Sequence, residues 1–284
     1  MRWQGREQSE NVRDQRGASP GRMVAGGGIG MLLIAFVAML FGKNPQALLE
    51  ANKKAQAKQG QAGEVGKDDQ YKAFVGSVLK TTEDIWTKQF ADHGQRYKKP
   101  IVNLFTAQVQ SGCGPASSAM GPFYCPADNQ VYIDPTFFEE LAEKYGAPGD
   151  FACAFVIAHE VAHHVQNELR WNDQANKARR SGNKLASNRE SVRLELQADF
   201  LAGVWAHHAH KQFNILEEGD LGEAMQAAIQ IGDDTLQAKA TGRVVPENFT
   251  HGSAEQRKRW FLKGVQSGSF PDAQRLLAMP YEEL

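Results

Sequence analysis

The stretch "GDFACAFVIAHEVAHHVQNEL", residues 149–169, constrains the fold more than any other part of the chain. It is apolar on nearly every face of a helix through Val165, and such a helix is stable only when the rest of the chain encloses it. Asp150 is placed to act as its N-cap. Yet the same segment carries His159, Glu160, His163 and His164. His159 and His163 are four apart, so their imidazoles project from one face within reach of a single ion. Glu160 lies about 100° around the helix, beside that ion and not on it. This is the HExxH arrangement, in which two histidines hold zinc and the glutamate acts as general base toward water. A lone carboxylate in a buried helix is costly, and a divalent cation is the partner that offsets it. His164 points elsewhere and reads as a neighbour with no metal role.

A zinc site that works on a substrate needs a third protein ligand. A metzincin would place Gly and His at fixed offsets after His163, where this chain has Gln166 and Leu169, so that class is excluded. Downstream, "ESVRLELQADFLAGVWAHH" reads as a second helix with Glu195 and Asp199 four apart, followed on the same face by Ala202 and Ala206. Small residues there allow a close approach to the first helix. Glu195 then reaches the ion, while Asp199 bonds a ligating imidazole and fixes its tautomer. An exposed pair of acids is the bland alternative. His207, His208 and His210 compete as ligands but read better as capping or solvated residues.

The motifs "HEVAHH", "RLELQAD" and "THGSAEQRKRWF", with the opening "MRWQGREQSENVRDQRG", "SGCGPASSAMGPFYCPADNQVYID" and "IGDD", resemble the YpfJ-type family of neutral zinc metallopeptidases over nearly the whole chain. A wider likeness links them to membrane-associated prenyl-protein and heat-shock endopeptidases, which pair HExxH with a later ExxxD and a His-containing turn. These resemblances imply a membrane-tethered zinc protein with Zn2+ on His159, His163 and Glu195. They also imply a catalytic role for His251, as a donor to the oxygen that gains charge in the transition state. A capping or surface histidine is the alternative. The family has Gly where this chain has Ala162, a methyl that costs little in a helix. Arg257 either positions the His251 segment or binds a substrate carboxylate.

Residues 23–42, "MVAGGGIGMLLIAFVAMLFG", carry no charge over a length close to that of a membrane-crossing helix. They read as a single-pass anchor after a polar tail over 1–22 and before a flexible linker over 43–70. Basic residues flank both ends of the run, so orientation stays open. The peptidase-like domain then spans 71–284, without internal repeats. Cys113 and Cys125 bracket a Gly- and Pro-containing loop and form either a disulfide or two buried thiols; a bridge would put the domain in the periplasm or outside the cell. Cys153 reads as core. With Lys plus Arg at 32 against Asp plus Glu at 33, nothing favours a nucleic acid partner.

Within "PFYCPADNQVYIDPTFF", two short β-prone runs flank a "PADN" turn. They suit either an edge strand that holds an extended peptide or an ordinary hairpin. A helix over about 135–145 follows. The basic stretch 170–193 reads as a solvated connection, and Asp233 and Asp234 as capping or solvated acids or a second cation site. The expected protein is α+β and mostly helical, a zincin-like zinc metallopeptidase on a bacterial cytoplasmic membrane that acts on peptides or proteins. The competing expectation is a zinc-stabilised binding or chaperone module without turnover.

Overall fold

The structure, a computed structural model, describes residues 1–17 and 69–284. Met1–Asp14 and Asp69–Leu284 make one compact unit; Gln15–Asp68 form a second, almost all of it outside the described residues. The unit is mostly helical with a small sheet, as expected. Strand β1 (Val12–Asp14) opens it, and helix α1 (Gln70–Asp92) follows, with the Asp69 side chain capping its start. Strands β2 (Ile101–Leu104), β3 (Gln108–Ser111), β4 (Gly114–Ser117), β5 (Phe123–Cys125) and β6 (Gln130–Ile133) come next. The main sheet runs β1-β2-β6-β5, with β1, β2 and β6 parallel and β5 antiparallel at the edge. β3 and β4 form a separate antiparallel hairpin, which the Cys113–Cys125 disulfide ties to β5.

After α2 (Thr136–Glu143) comes the central helix α3 (Asp150–Glu168), then α4 (Asp173–Arg180) and the long α5 (Lys184–Phe213). Helices α6 (Asp220–Gln230), α7 (Asp233–Thr241), α8 (Ala254–Ser267) and α9 (Phe270–Arg275) close the unit. Phe151, Phe155, Ile157, Val161 and Val165 of α3 are fully buried, which bears out an enclosed helix. Asp150, however, is its first helical residue and not its cap. Its carboxylate accepts from the Trp3 indole at 2.7 Å, and the orphan Phe151 amide donates to Glu223 of α6.

α5 packs on α3 and, far more intimately, on α8. Gly203 and Gly264 face each other at that crossing, where a methyl on either would overlap the backbone of the other helix. The basic stretch 170–193 is not wholly a connection: it contains α4 and the first turns of α5, capped by Asn183. Within it α4 buries only Ala175 and so offers no apolar stripe, and periodicity does not reveal it.

The first residues are not a free tail. Trp3 is buried against Phe74, β1 pairs with β2, and the buried Glu83 carboxylate accepts from Ser9 and Asn11. The proposed anchor at 23–42 and nearly all of the linker over 43–70 lie outside the described residues. Among the described residues no helix is long and apolar enough to cross a membrane.

Candidate metal centre

α3 and α5 lie side by side and bring His159, His163 and Glu195 together, with ligand atoms of all three within 4.8 Å of one another. His159 Nε2 is 3.1 Å from one Glu195 oxygen and His163 Nε2 is 3.4 Å from the other. A tetrahedral zinc with ligand bonds of about 2.1 Å sets ligand-to-ligand edges of roughly 3.4 Å, so the spacing fits.

The proton inventory points the same way. His159 Nδ1 faces Asp199 Oδ1 at 2.9 Å, and a carboxylate can only accept, so Nδ1 carries the proton. His163 Nδ1 faces Gln166 Oε1 at 2.8 Å. The Gln166 amide group donates to the Leu194 carbonyl at 2.7 Å and to Gln197 at 2.9 Å. That fixes Gln166 with its oxygen toward His163, which must therefore donate from Nδ1 as well. With Nδ1 committed on both rings, only the Nε2 atoms face the acceptor-only Glu195 carboxylate, and positive charge between them, a proton or a shared metal cation, is what satisfies all three. Burial works against an imidazolium at His159, yet Asp199 and Glu195 lift it to about 10. Glu195, although burial pushes it up, is held well below the usual carboxylate range by His163 and His159. The pocket draws positive charge.

Asp199 is fully buried and bidentate to Arg257, with both contacts at 2.9 Å. Arg257, itself 2% exposed, also donates to the Ile231 carbonyl, so it positions Asp199 and the α6–α7 junction and is not free for a substrate carboxylate. Glu160 is buried at the cleft wall; burial raises its carboxyl while His163 and His159 pull it down.

The cleft has a volume near 540 Å³ and is bordered by Phe123 and Tyr124 of β5, by Phe137 and Tyr145, and by Ile231 and His251. β5 is thus an edge strand on the cleft. It is pinned to α3 through the Tyr124 hydroxyl, which meets His164 Nδ1 and Asn167 Nδ2. His164, bonded also to the Lys98 carbonyl at 2.6 Å, anchors this wall. His207 and His208 bond the Val265 and Gly268 carbonyls, and neither joins the cluster.

Gln166 is the residue that sequence patterns do not single out, and Asp233 is one whose role they do not give. Gln166 sits one turn after His163, a spacing that permits its contact. Asp233 is not solvated: its Oδ2 accepts from the amides of Thr250, His251 and Gly252. With these bonds made, neither a capping role nor a second cation site describes it.

The family described as "Putative neutral zinc metallopeptidase" matches residues 1–275. The uncharacterized protein YpfJ of Escherichia coli (strain K12) is 43% identical over 277 residues, covering 94% of this chain and 96% of its own. The uncharacterized protein Rv2575 of Mycobacterium tuberculosis is 45% identical over 182 residues, covering 61% of this chain and 60% of its own. No solved structure matches the chain.

Proposed function

The chain belongs to the neutral zinc metallopeptidase family, and we propose that it hydrolyses peptide bonds at a zinc ion held by His159, His163 and Glu195. The observation that carries this reading is the convergence of three acceptor atoms whose imidazole Nδ1 positions are already occupied. When bound, zinc supplies Lewis acidity toward a substrate carbonyl and toward water.

The chain's own groups supply the rest. Glu160, at the cleft wall beside the ligands, takes a proton from the attacking water and returns it to the leaving amine. A raised carboxyl suits both halves of that task. β5 offers its free edge to an extended peptide, whose backbone would add to the sheet. His251, which also lines the cleft, donates a hydrogen bond to the oxyanion. The fold is read as zincin-like on the strength of the metal helix, the edge strand and the second ligand helix.

Where the protein works is also proposed. The Cys113–Cys125 bridge favours an oxidising compartment, the periplasm or the cell exterior. The apolar run 23–42 favours association with a bilayer. The test of the reaction is Glu160→Gln. It should leave zinc content unchanged and lower kcat on an unfolded protein substrate about 10²- to 10⁴-fold. Zinc binding without any cleavage by the wild type would instead favour a non-catalytic zinc module.

A further inference from the structure

Two sequence features outside the ligand set, "IGDD" and "THGSA", interlock in the folded chain. Asp233 Oδ2 takes the amides of Thr250 and His251, each at 2.6 Å, and that of Gly252 at 3.1 Å. The Asp233 amide returns a bond to the Gly252 carbonyl at 2.9 Å, and Asp234 Oδ1 accepts from Ala254 at 2.8 Å. Gly252 has φ +93° and packs against Leu196 and Val192 of α5, so a side chain there would be both strained and crowded. Ser253 and Gln256 form a capping box that starts α8, the helix that carries Arg257 to Asp199. The turn bearing His251 is therefore gripped from α7, α5 and α8 at once.

The remaining Asp233 oxygen, Oδ1, lies 3.1 Å from His251 Nδ1. The Thr250 hydroxyl is also 3.1 Å from that nitrogen. A carboxylate cannot donate, so Nδ1 bears the proton and the hydroxyl accepts. With Nδ1 so committed, Nε2 of a neutral His251 is a bare lone pair. It can donate a hydrogen bond only when the ring is an imidazolium.

We propose that Asp233 is a positioning residue which fixes His251 in the tautomer that donates from Nε2 only as the cation, making His251 a charged donor at the cleft; this rests on the reading of His251 under the proposed function. The charged groups that act on the ring are consistent with it. Asp233 raises His251, burial opposes that, Glu195 adds to it and Arg257 subtracts. The acid role of an imidazolium is lost as pH rises through the elevated value. In Asp233→Asn the amide oxygen can keep the backbone bonds while its NH2 donates to Nδ1, which leaves a neutral ring with a proton on Nε2. That variant should be slower and should lose the alkaline limb that His251 imposes.

The test uses the full chain with 15N-labelled histidine. In the wild type above its midpoint, the His251 signals should show a protonated Nδ1 and a bare Nε2; the opposite tautomer overturns the proposal without recourse to any variant. In Asp233→Asn the midpoint should fall by about one unit or more, and an unchanged midpoint overturns it. In kinetics, Asp233→Asn should lower kcat with little change in KM and add nothing in a His251→Ala background, whereas equal losses in both backgrounds would mark Asp233 as merely structural. A wild type that cleaves nothing refutes the hydrolase reading, and the spectroscopic arms still decide the tautomer.

Discussion

His159, Glu160, His163, Glu195 and Asp199 are legible in sequence because helical spacing alone fixes which of them share a face, and because buried titratable groups demand a partner. Gln166 is not, since an amide in a helix announces nothing until its two donors find Leu194 and Gln197. Its contact matters through orientation. Gln166→Leu should keep the fold apolar and intact, leave His163 Nδ1 without an acceptor, and weaken zinc binding about 10- to 100-fold, read by competition with a chelator. Unchanged affinity would show that α3 alone orients the ring. Arg257 illustrates the opposite lesson: its charge suggests a substrate contact, but burial and two bonds to Asp199 make it a support for His159.

The ligands come from two helices, and what sets the distance between those helices decides whether the site closes. α5 is held closely against α8 at the Gly203–Gly264 crossing, and α8 also meets α3 through the Phe155–Phe261 ring contact. Gly203→Ala places a methyl against the Phe261 carbonyl, so the helices must part. The expected cost is about 1–3 kcal/mol or more, measured by chemical denaturation, with zinc affinity falling in step because Glu195 and Asp199 ride on α5. A stable variant with normal affinity would mean that the α3–α5 distance is set elsewhere. Sequence patterns reveal α3 by its all-round apolar character, α5 by the spacing of its acids and small residues, and the β5–β6 hairpin by two short β-prone runs around a turn. They miss α4, which has a single buried residue, Ala175, and so carries no stripe to read.

For the molecule as a whole, the polar composition of the first residues conceals that they belong to the core unit. One residue, Trp3, carries the signal, and a lone tryptophan in a charged segment is easily passed over. Trp3→Ala should cost about 3–5 kcal/mol, with loss of the Asp150 contact at the start of α3, measured as a shift in the denaturation midpoint. The same docking has a topological consequence. Single cysteines in place of Gln4 and Glu218 should react with an impermeant thiol reagent from the same face of a membrane vesicle; reaction from opposite faces would mean that β1 leaves β2 when the chain is in the membrane.

Zinc content of the purified full-length chain tests the central claim most directly. A single equivalent of zinc is expected in the wild type and in Glu160→Gln, with little or none in Glu195→Ala, whose lost carboxylate opens the three-ligand set. Full zinc in Glu195→Ala, or a wild type that takes up no zinc when it is supplied, would contradict a metal centre built on His159, His163 and Glu195.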